Sequence, residues 1–454
     1  MIRRLYYRSC WLTTSIKYWL ERKFTLAGLL VVAGLILTAV RGDSNLTVGY
    51  QAFTFLFCLL FFSFALSLLA SIRFSAQRNL PRVAAVGVPI HYSITLRNLK
   101  RRRLSNLTLF ENLADPRPSY QTFIETVEPL EHLRNVYDRA TGFYRWLYLV
   151  EQNRTCQILP VKVPEFPPMG SVMVETSFTP LKRGVARFKG LTLGCPDPFG
   201  IVHKLVSVKL EQSVLIIPKR YMIPPLALPG IVKYQAGGVA LASSVGESEE
   251  FVALRDYRPG DPLRHIHWKS WAKTGKPIVK EYQDEFFVRH ALILDTFGDA
   301  TLSPHFEEAV SVAASFACTL QDQDSLLDLL FVGPKAYCFT IGRGLAHTDQ
   351  MLEILATVSL CQSESFSALH QLVIDHGTNV SGCVCIFMKW DDERQQLVRY
   401  LQTLNVPVLV LVIVRDGEGK LLDSGPMRRK PDAFVPLEMG QIASKLAVLR
   451  YQPD

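Results

Sequence analysis

The sequence predicts a multi-domain protein: two transmembrane α-helices, a β-sandwich, and a C-terminal α/β domain with a mainly parallel sheet. Three patterns predict it. Two long uncharged runs, residues 24–40 and 50–72, lie near the N-terminus. Short alternating runs broken by Pro, Gly and Asn fill residues 83–218. Continuous apolar runs alternate with helical ones after residue 290. The expected boundaries are 1–82 for the anchor, 83–218 for the sandwich, 219–289 for a linker and 290–454 for the α/β domain.

The anchor comes first. Both runs are long enough to cross about 30 Å of hydrocarbon, the first only just. A short polar linker, residues 41–49, makes them a tight hairpin. Arg22 and Lys23 precede the first run, and Arg73, Arg78 and Arg82 follow the second. The positive-inside rule therefore predicts two spans in the cytoplasmic (inner) membrane with both termini in the cytoplasm. A cleaved signal peptide is disfavoured, because no A-x-A-like site follows the first run.

Charge and cysteines narrow the function classes. The net charge is +9, but ten of the 50 basic residues lie in residues 1–82 against only Glu21 and Asp43. That leaves 40 basic and 39 acidic residues beyond position 82. The near-neutral remainder argues against nucleic acid and for a charge that serves the anchor. Nine cysteines include no CxxC pair. Cys383 and Cys385 fall on one face of an apolar strand, a poor geometry for a mutual disulfide and a good one for a buried core.

Within the sandwich, residues 91–96 put Tyr92, Ile94 and Leu96 on one face, and residues 172–178 and 214–217 look similar. The aromatic stretch 142–150 (GFYRWLYLV) fits either a strand or an insertion on the membrane surface. Lys100, Arg101, Arg102 and Arg103 read either as a solvated hairpin tip or as a contact with anionic lipid.

The most specific segment is residues 246–285, GESEEFVALRDYRPGDPLRHIHWKSWAKTGKPIVKEYQDE. It supplies Gly246, Glu247, Phe251, Leu254, Arg255, Tyr257, Gly260, Asp261, Arg264, Ile266, Trp268, Lys269, Val279, Lys280 and Glu281. Over these positions the chain resembles the bacterial domain of unknown function 58 family. Lys182-Arg183-Gly184 and Asp197-Pro198-Phe199-Gly200 resemble further marks of the same family, whereas Trp271 replaces a small residue. Arg258-Pro259-Gly260-Asp261-Pro262 is a turn by composition. Arg255 and Arg264 flank Asp261 and suit a bidentate pair across it. The segment is thus either a latch between domains or a docking surface. His265 and His267 could share a strand face, but no third ligand adjoins, so structural roles are favoured.

In the last domain, strands are expected near residues 291–294, 326–332, 384–388 and 408–414. Helices are expected near 306–320, 348–360, 392–404 and 437–449, and Gly342-Arg343-Gly344 suits a hairpin turn. The resemblance implies a von Willebrand factor A-like domain, which can hold a divalent cation on an Asp-x-Ser-x-Ser loop and a later Asp. Here the loop is Asp295-Thr296-Phe297-Gly298-Asp299, with Asp391 as the distal carboxylate. Phe297 cannot ligate, so the site is degraded and Mg²⁺ or Mn²⁺ is not expected as a cofactor, although Asp299 could partly compensate.

No phosphate-binding loop, GxSxG elbow or HExxH motif is present in the sequence. The expectation is a non-enzymatic membrane-anchored scaffold or adaptor. The resemblance implies a MoxR-type AAA+ ATPase as partner, in an envelope-related or chaperone-like process. A metal-dependent hydrolase built on Asp295, Asp299 and Asp391 is one alternative, and an anionic-lipid sensor using Lys100–Arg103 another. The client and oligomeric state are not legible.

Overall fold

A computed structural model describes residues 2–41, 47–69, 71–129, 131–224, 250–261, 263–283, 289–298, 303–321, 326–341, 345–362, 364–377 and 380–449. The chain divides into two compact units, Met1–Ile217 and Pro218–Asp454.

The first unit opens with a helix that composition does not announce, α1 (Ile2–Lys23). It is followed by α2 (Leu26–Arg41) and α3 (Thr47–Leu69). Among the described residues one helix, Val48–Leu69, is long and apolar enough to cross a membrane. The 16 residues of α2 extend only about 24 Å, short of a full hydrocarbon core. The second run also stops earlier than expected, because Ile72 packs in the sandwich core.

The sandwich itself begins upstream of residue 83. Its strands are β1 (Phe74–Asn79), β2 (Val83–Ala85), β3 (Ile90–Asn98), β4 (Thr108–Leu113), β5 (Cys156–Ile158), β6 (Val161–Lys162), β7 (Ser171–Pro180), β8 (Gly184–Pro196) and β9 (His203–Ile217). One sheet runs β1-β3-β7-β5 and the other β2-β9-β8-β4-β6. Tyr92, Ile94 and Leu96 from β3 meet Phe178, Phe188, Leu191 and Leu193 in a shared core. Period-two alternation on β3 and β7 is what lets one face bury while the other stays wet.

Arg78, expected to help set membrane orientation, is instead buried in this core. It donates to Glu111 Oε2 at 2.7 Å and to the carbonyls of Leu210 and Gly190. Tyr92 Oη also donates to Glu111, at 2.7 Å. Lys23 is likewise buried, donating to the His203 carbonyl at 2.8 Å.

Between β4 and β5 the chain forms α4 (Tyr120–Glu125), α5 (Val136–Thr141) and α6 (Phe143–Asn153). The aromatic stretch is therefore a helix. Trp146 and Leu149 of α6, a helical step apart, bury with Phe123 and Cys10. Tyr7 packs against this cluster, and Trp146 Nε1 donates to Thr14 Oγ1 at 2.9 Å. The Lys100–Arg103 cluster lies in the turn between β3 and β4, where Arg103 pairs with Glu165.

In the second unit the expected linker contains a small antiparallel sheet, β10 (Glu250–Asp256) with β11 (Ile278–Gln283), around α7 (Trp268–Thr274). The larger sheet comprises β12 (Arg289–Leu294), β13 (Leu326–Val332), β14 (Ala336–Ile341), β15 (Gly382–Phe387), β16 (Val408–Val414) and β17 (Phe434–Glu438). Its order is β14-β13-β12-β15-β16-β17, with only the β13–β14 pair antiparallel. Every residue of β13, β15 and β16 is buried, as expected for strands covered on both faces.

The helices are α8 (Ser303–Gln321), α9 (Leu345–Thr357), α10 (Phe366–Gly377), α11 (Asp392–Thr403) and α12 (Ile442–Ala447). Three features differ from expectation, the first being β14, an antiparallel strand where none is expected. α10 was not foreseen, and residues 437–449 are not one helix. Leu437 and Glu438 close β17 beside β16, Gly440 turns at φ 85°, and only a short α12 follows. Cys383 and Cys385 are buried on β15 with their sulfurs 3.6 Å apart. Gly342, Arg343 and Gly344 lie outside the described residues.

Candidate functional site

The larger sheet reverses its strand order at β12, which has β13 on one side and β15 on the other. Loops leaving the carboxyl ends of β12 and β15 therefore diverge, and the crevice between them is where open α/β sheets usually bind ligands. An open cleft of about 480 Å³ lies there, lined by Phe297, Cys361, Phe366, Lys389, Glu393 and Arg394 among others.

Asp295 follows β12 directly and is fully buried. Its Oδ1 accepts from the Phe297 N–H at 3.0 Å and from Arg394 Nη2 at 3.2 Å. Its Oδ2 accepts from the Met388 N–H at 3.3 Å and from Arg394 Nε at 3.1 Å. Asp391 caps α11 by accepting from the Arg394 N–H at 3.1 Å, a common use of Asp at this position. Its Oδ2 accepts from Arg394 Nη1 at 2.7 Å. The same guanidinium lies 4.2 Å from the centre of the Phe366 ring.

Burial pushes the Asp295 carboxyl above its usual range, and Arg394 with the two backbone N–H groups opposes that push. All four neighbours are donors. A carboxylate fits such a site, whereas a protonated acid would set a donor against donors.

Asp295 and Asp391 thus converge, but on a guanidinium. Both surround Arg394 rather than presenting free oxygens, and Phe297 offers only a ring, packed against Phe366 at 5.6 Å. Asp299 lies outside the described residues. Among the described residues no group of three or more His, Cys, Asp or Glu is placed to hold a metal ion. As built, these side chains do not fit Mg²⁺ or Mn²⁺.

Sequence reasoning missed Arg394. One signal was available: a basic residue in the first turn of a helix opposes the helix dipole and calls for a compensating partner.

The 246–285 segment forms a separate feature. Arg255 grips Asp261 with two bonds, Nη1 to Oδ2 at 2.7 Å and Nη2 to Oδ1 at 2.8 Å, and the Arg258 N–H adds a third at 2.8 Å. Hydrogen bonding to Arg255 draws the Asp261 carboxyl down to about 2. Gly260 turns at φ 108°, a region that favours glycine. The pair is local and half-exposed, not buried. Arg264 Nε donates to His265 Nε2 at 3.1 Å. His265 lies in a 3-10 turn and His267 precedes α7, so the two do not share a strand face.

Trp268 is exposed and stacks on Trp271 with ring centres 5.3 Å apart, next to exposed Lys269. The Tyr257 N–H donates to the Pro277 carbonyl at 3.0 Å, and Lys280 pairs with Leu254 across the sheet. Phe251 pairs with Tyr282 in register. Gly246 and Glu247 lie outside the described residues.

The family model described as "Protein of unknown function DUF58" matches residues 253–388. Residues 253–388 are therefore similar to the DUF58 family. That region takes in the Arg255–Asp261 turn and Asp295 and ends before Asp391 and Arg394. An uncharacterized protein of Bacillus subtilis, YeaD, is 25% identical over 188 residues, which covers 41% of this chain and 46% of that protein.

Two solved structures are also similar. One is the CARDB domain of the PF1109 protein from Pyrococcus furiosus, in complex with di-metal ions (12% identity, 32% of this chain and 89% of that one, TM-score 0.17). The other is a cohesin module from a Clostridium perfringens family 33 glycoside hydrolase (9% identity, 32% and 98%, TM-score 0.16).

Proposed function

We propose that this protein is a membrane-anchored scaffold whose α/β unit docks a protein partner at the crevice between β12 and β15, without a resident metal and without catalysis of its own. The observation that carries this reading is the Asp295–Arg394–Asp391 cluster. It spends both carboxylates on an internal cation and leaves beside it a cleft with Lys389 and Glu393 on its wall. Such a site has shape and charge for recognition, and among the described residues it includes no group of three or more His, Cys, Asp or Glu placed to hold a metal ion. The mainly parallel sheet supports a von Willebrand factor A-like assignment. Two spans with cytoplasmic termini, in the inner membrane, complete the arrangement. A MoxR-type AAA+ ATPase is the partner that the family resemblance implies, and exposed Trp268, stacked on Trp271, offers a second contact.

Photo-crosslinking from position 389 in the full chain, solubilised in detergent with the cognate ATPase, tests the reading. A complex weakened tenfold or more by Lys389→Glu with Glu393→Lys supports it. No complex with or without ATP, or one indifferent to both reversals, overturns it.

A further inference from the structure

The outer face of α1 is left exposed by the described residues. Tyr7, Cys10 and Thr14 face the sandwich unit, where Tyr7 Oη donates to the Pro118 carbonyl at 3.1 Å. On the opposite side Leu5, Leu12, Ile16 and Trp19 are all exposed, and Trp11 flanks them beneath the Arg117 guanidinium. Spacings of seven, four and three residues confine that stripe to about 60° of the helix circumference. Exposed Arg3, Arg4, Arg8 and Lys17 sit on the same helix, whose only acid is Glu21.

The helix also leads directly into the hydrophobic hairpin. α1 ends at Lys23 and α2 begins at Leu26, with Trp19 packed against Phe24 at the bend. An apolar stripe with tryptophan, basic residues and no net acid, continuous with the hydrophobic hairpin of α2 and α3, is the composition of a helix that lies in a bilayer interface.

We infer that α1 lies in the plane of an anionic leaflet, with Leu5, Leu12, Ile16 and Trp19 among the acyl chains. The inner face of the helix then holds the β-sandwich against the membrane surface. This inference rests on the proposed membrane anchorage and adds to it a second, in-plane contact.

The test uses the full chain in nanodiscs containing phosphatidylglycerol and phosphatidylcholine brominated high on the acyl chains. Of the six tryptophans, Trp146 is buried, Trp268, Trp271 and Trp390 belong to the other unit, and neither α2 nor α3 contains one. Emission quenched by the brominated lipid and restored by W11F/W19F is the expected result. A chain that floats with the discs but is not quenched, or stays quenched in W11F/W19F, overturns the in-plane contact and leaves the anchorage standing. A chain that does not associate with the discs overturns the anchorage itself. Disulfide-linked dimers of Leu12→Cys in unquenched discs would show that a second copy covers the stripe, and they also overturn the inference.

Discussion

Replacing Arg394 with alanine removes the only side-chain cation bonded to Asp295 among the described residues. Asp295 is fully buried and keeps only the N–H groups of Phe297 and Met388. Breaking a buried pair from one side costs about 3–5 kcal/mol, because the surviving charge has no compensation. For a unit of this size each kcal/mol lowers the melting temperature by about 2–4 °C, so a fall of about 6–20 °C is expected. Urea denaturation of the full chain in detergent, in a background keeping only Trp390, reads the α/β unit alone. That indole donates to the Asp423 carbonyl at 2.7 Å and packs on Phe434 at 5.0 Å.

The double variant Asp295→Leu/Arg394→Met should recover most of the loss, since both charges leave together. A loss below about 1 kcal/mol for Arg394→Ala, or no recovery in the double variant, would refute the view that the guanidinium neutralises this site.

Other expectations follow from the same geometry. Calorimetry with Mn²⁺ should show no micromolar binding by the wild-type chain, and micromolar affinity abolished by Asp295→Ala would contradict the metal-free reading. Burial draws His290 down to about 4, and its Nδ1 has no hydrogen-bond partner among the described residues. The unfolded chain therefore binds a proton that the folded chain refuses. Stability is full above pH 6.5 and falls by up to about 1.4 kcal/mol per pH unit toward pH 4, a slope that His290→Gln should flatten. Asp261→Asn, at a half-exposed turn, should leave the melting temperature nearly unchanged while speeding hydrogen exchange at the Arg258 N–H; a large global loss would place the turn in a core. A Cβ at Gly28 would lie 2.2 Å from the Ile201 carbonyl oxygen, so Gly28→Val should destabilise the first unit by about 1–3 kcal/mol through overpacking, read by thermal melting.

Features of the sequence that repeat at short range were legible. The apolar runs of β13 and β16 mark buried strands, and alternation in β3 marks its core face, because each pattern is local. The Arg255–Asp261 bond was readable for the same reason, with partners six residues apart. Arg394 and Asp295 are 99 residues apart, and only the fold brings them together. Helix α1 escaped notice because its apolar residues divide between two opposite faces, which blurs a single-stripe pattern. The helix expected over 437–449 overlaps the last two residues of β17, Leu437 and Glu438, because a strand this short at the sheet's edge leaves little alternation to read. Arg78 was counted with the membrane charges by its position, although Glu111 draws it into the sandwich.

The foot of the hydrophobic hairpin is clasped on several sides. Asp197 accepts from the N–H groups of Phe199, Ile201 and Val202, which fixes the loop between β8 and β9. That loop receives Thr25 Oγ1 on the Gly200 carbonyl at 2.5 Å and the Thr25 N–H on the Ile201 carbonyl at 3.1 Å. Lys23 reaches across to Ser67, near the end of α3, at 3.4 Å. A joint with so many short ties has little slack. Any displacement of the hairpin's foot must therefore either carry the β8–β9 loop with it or break these bonds.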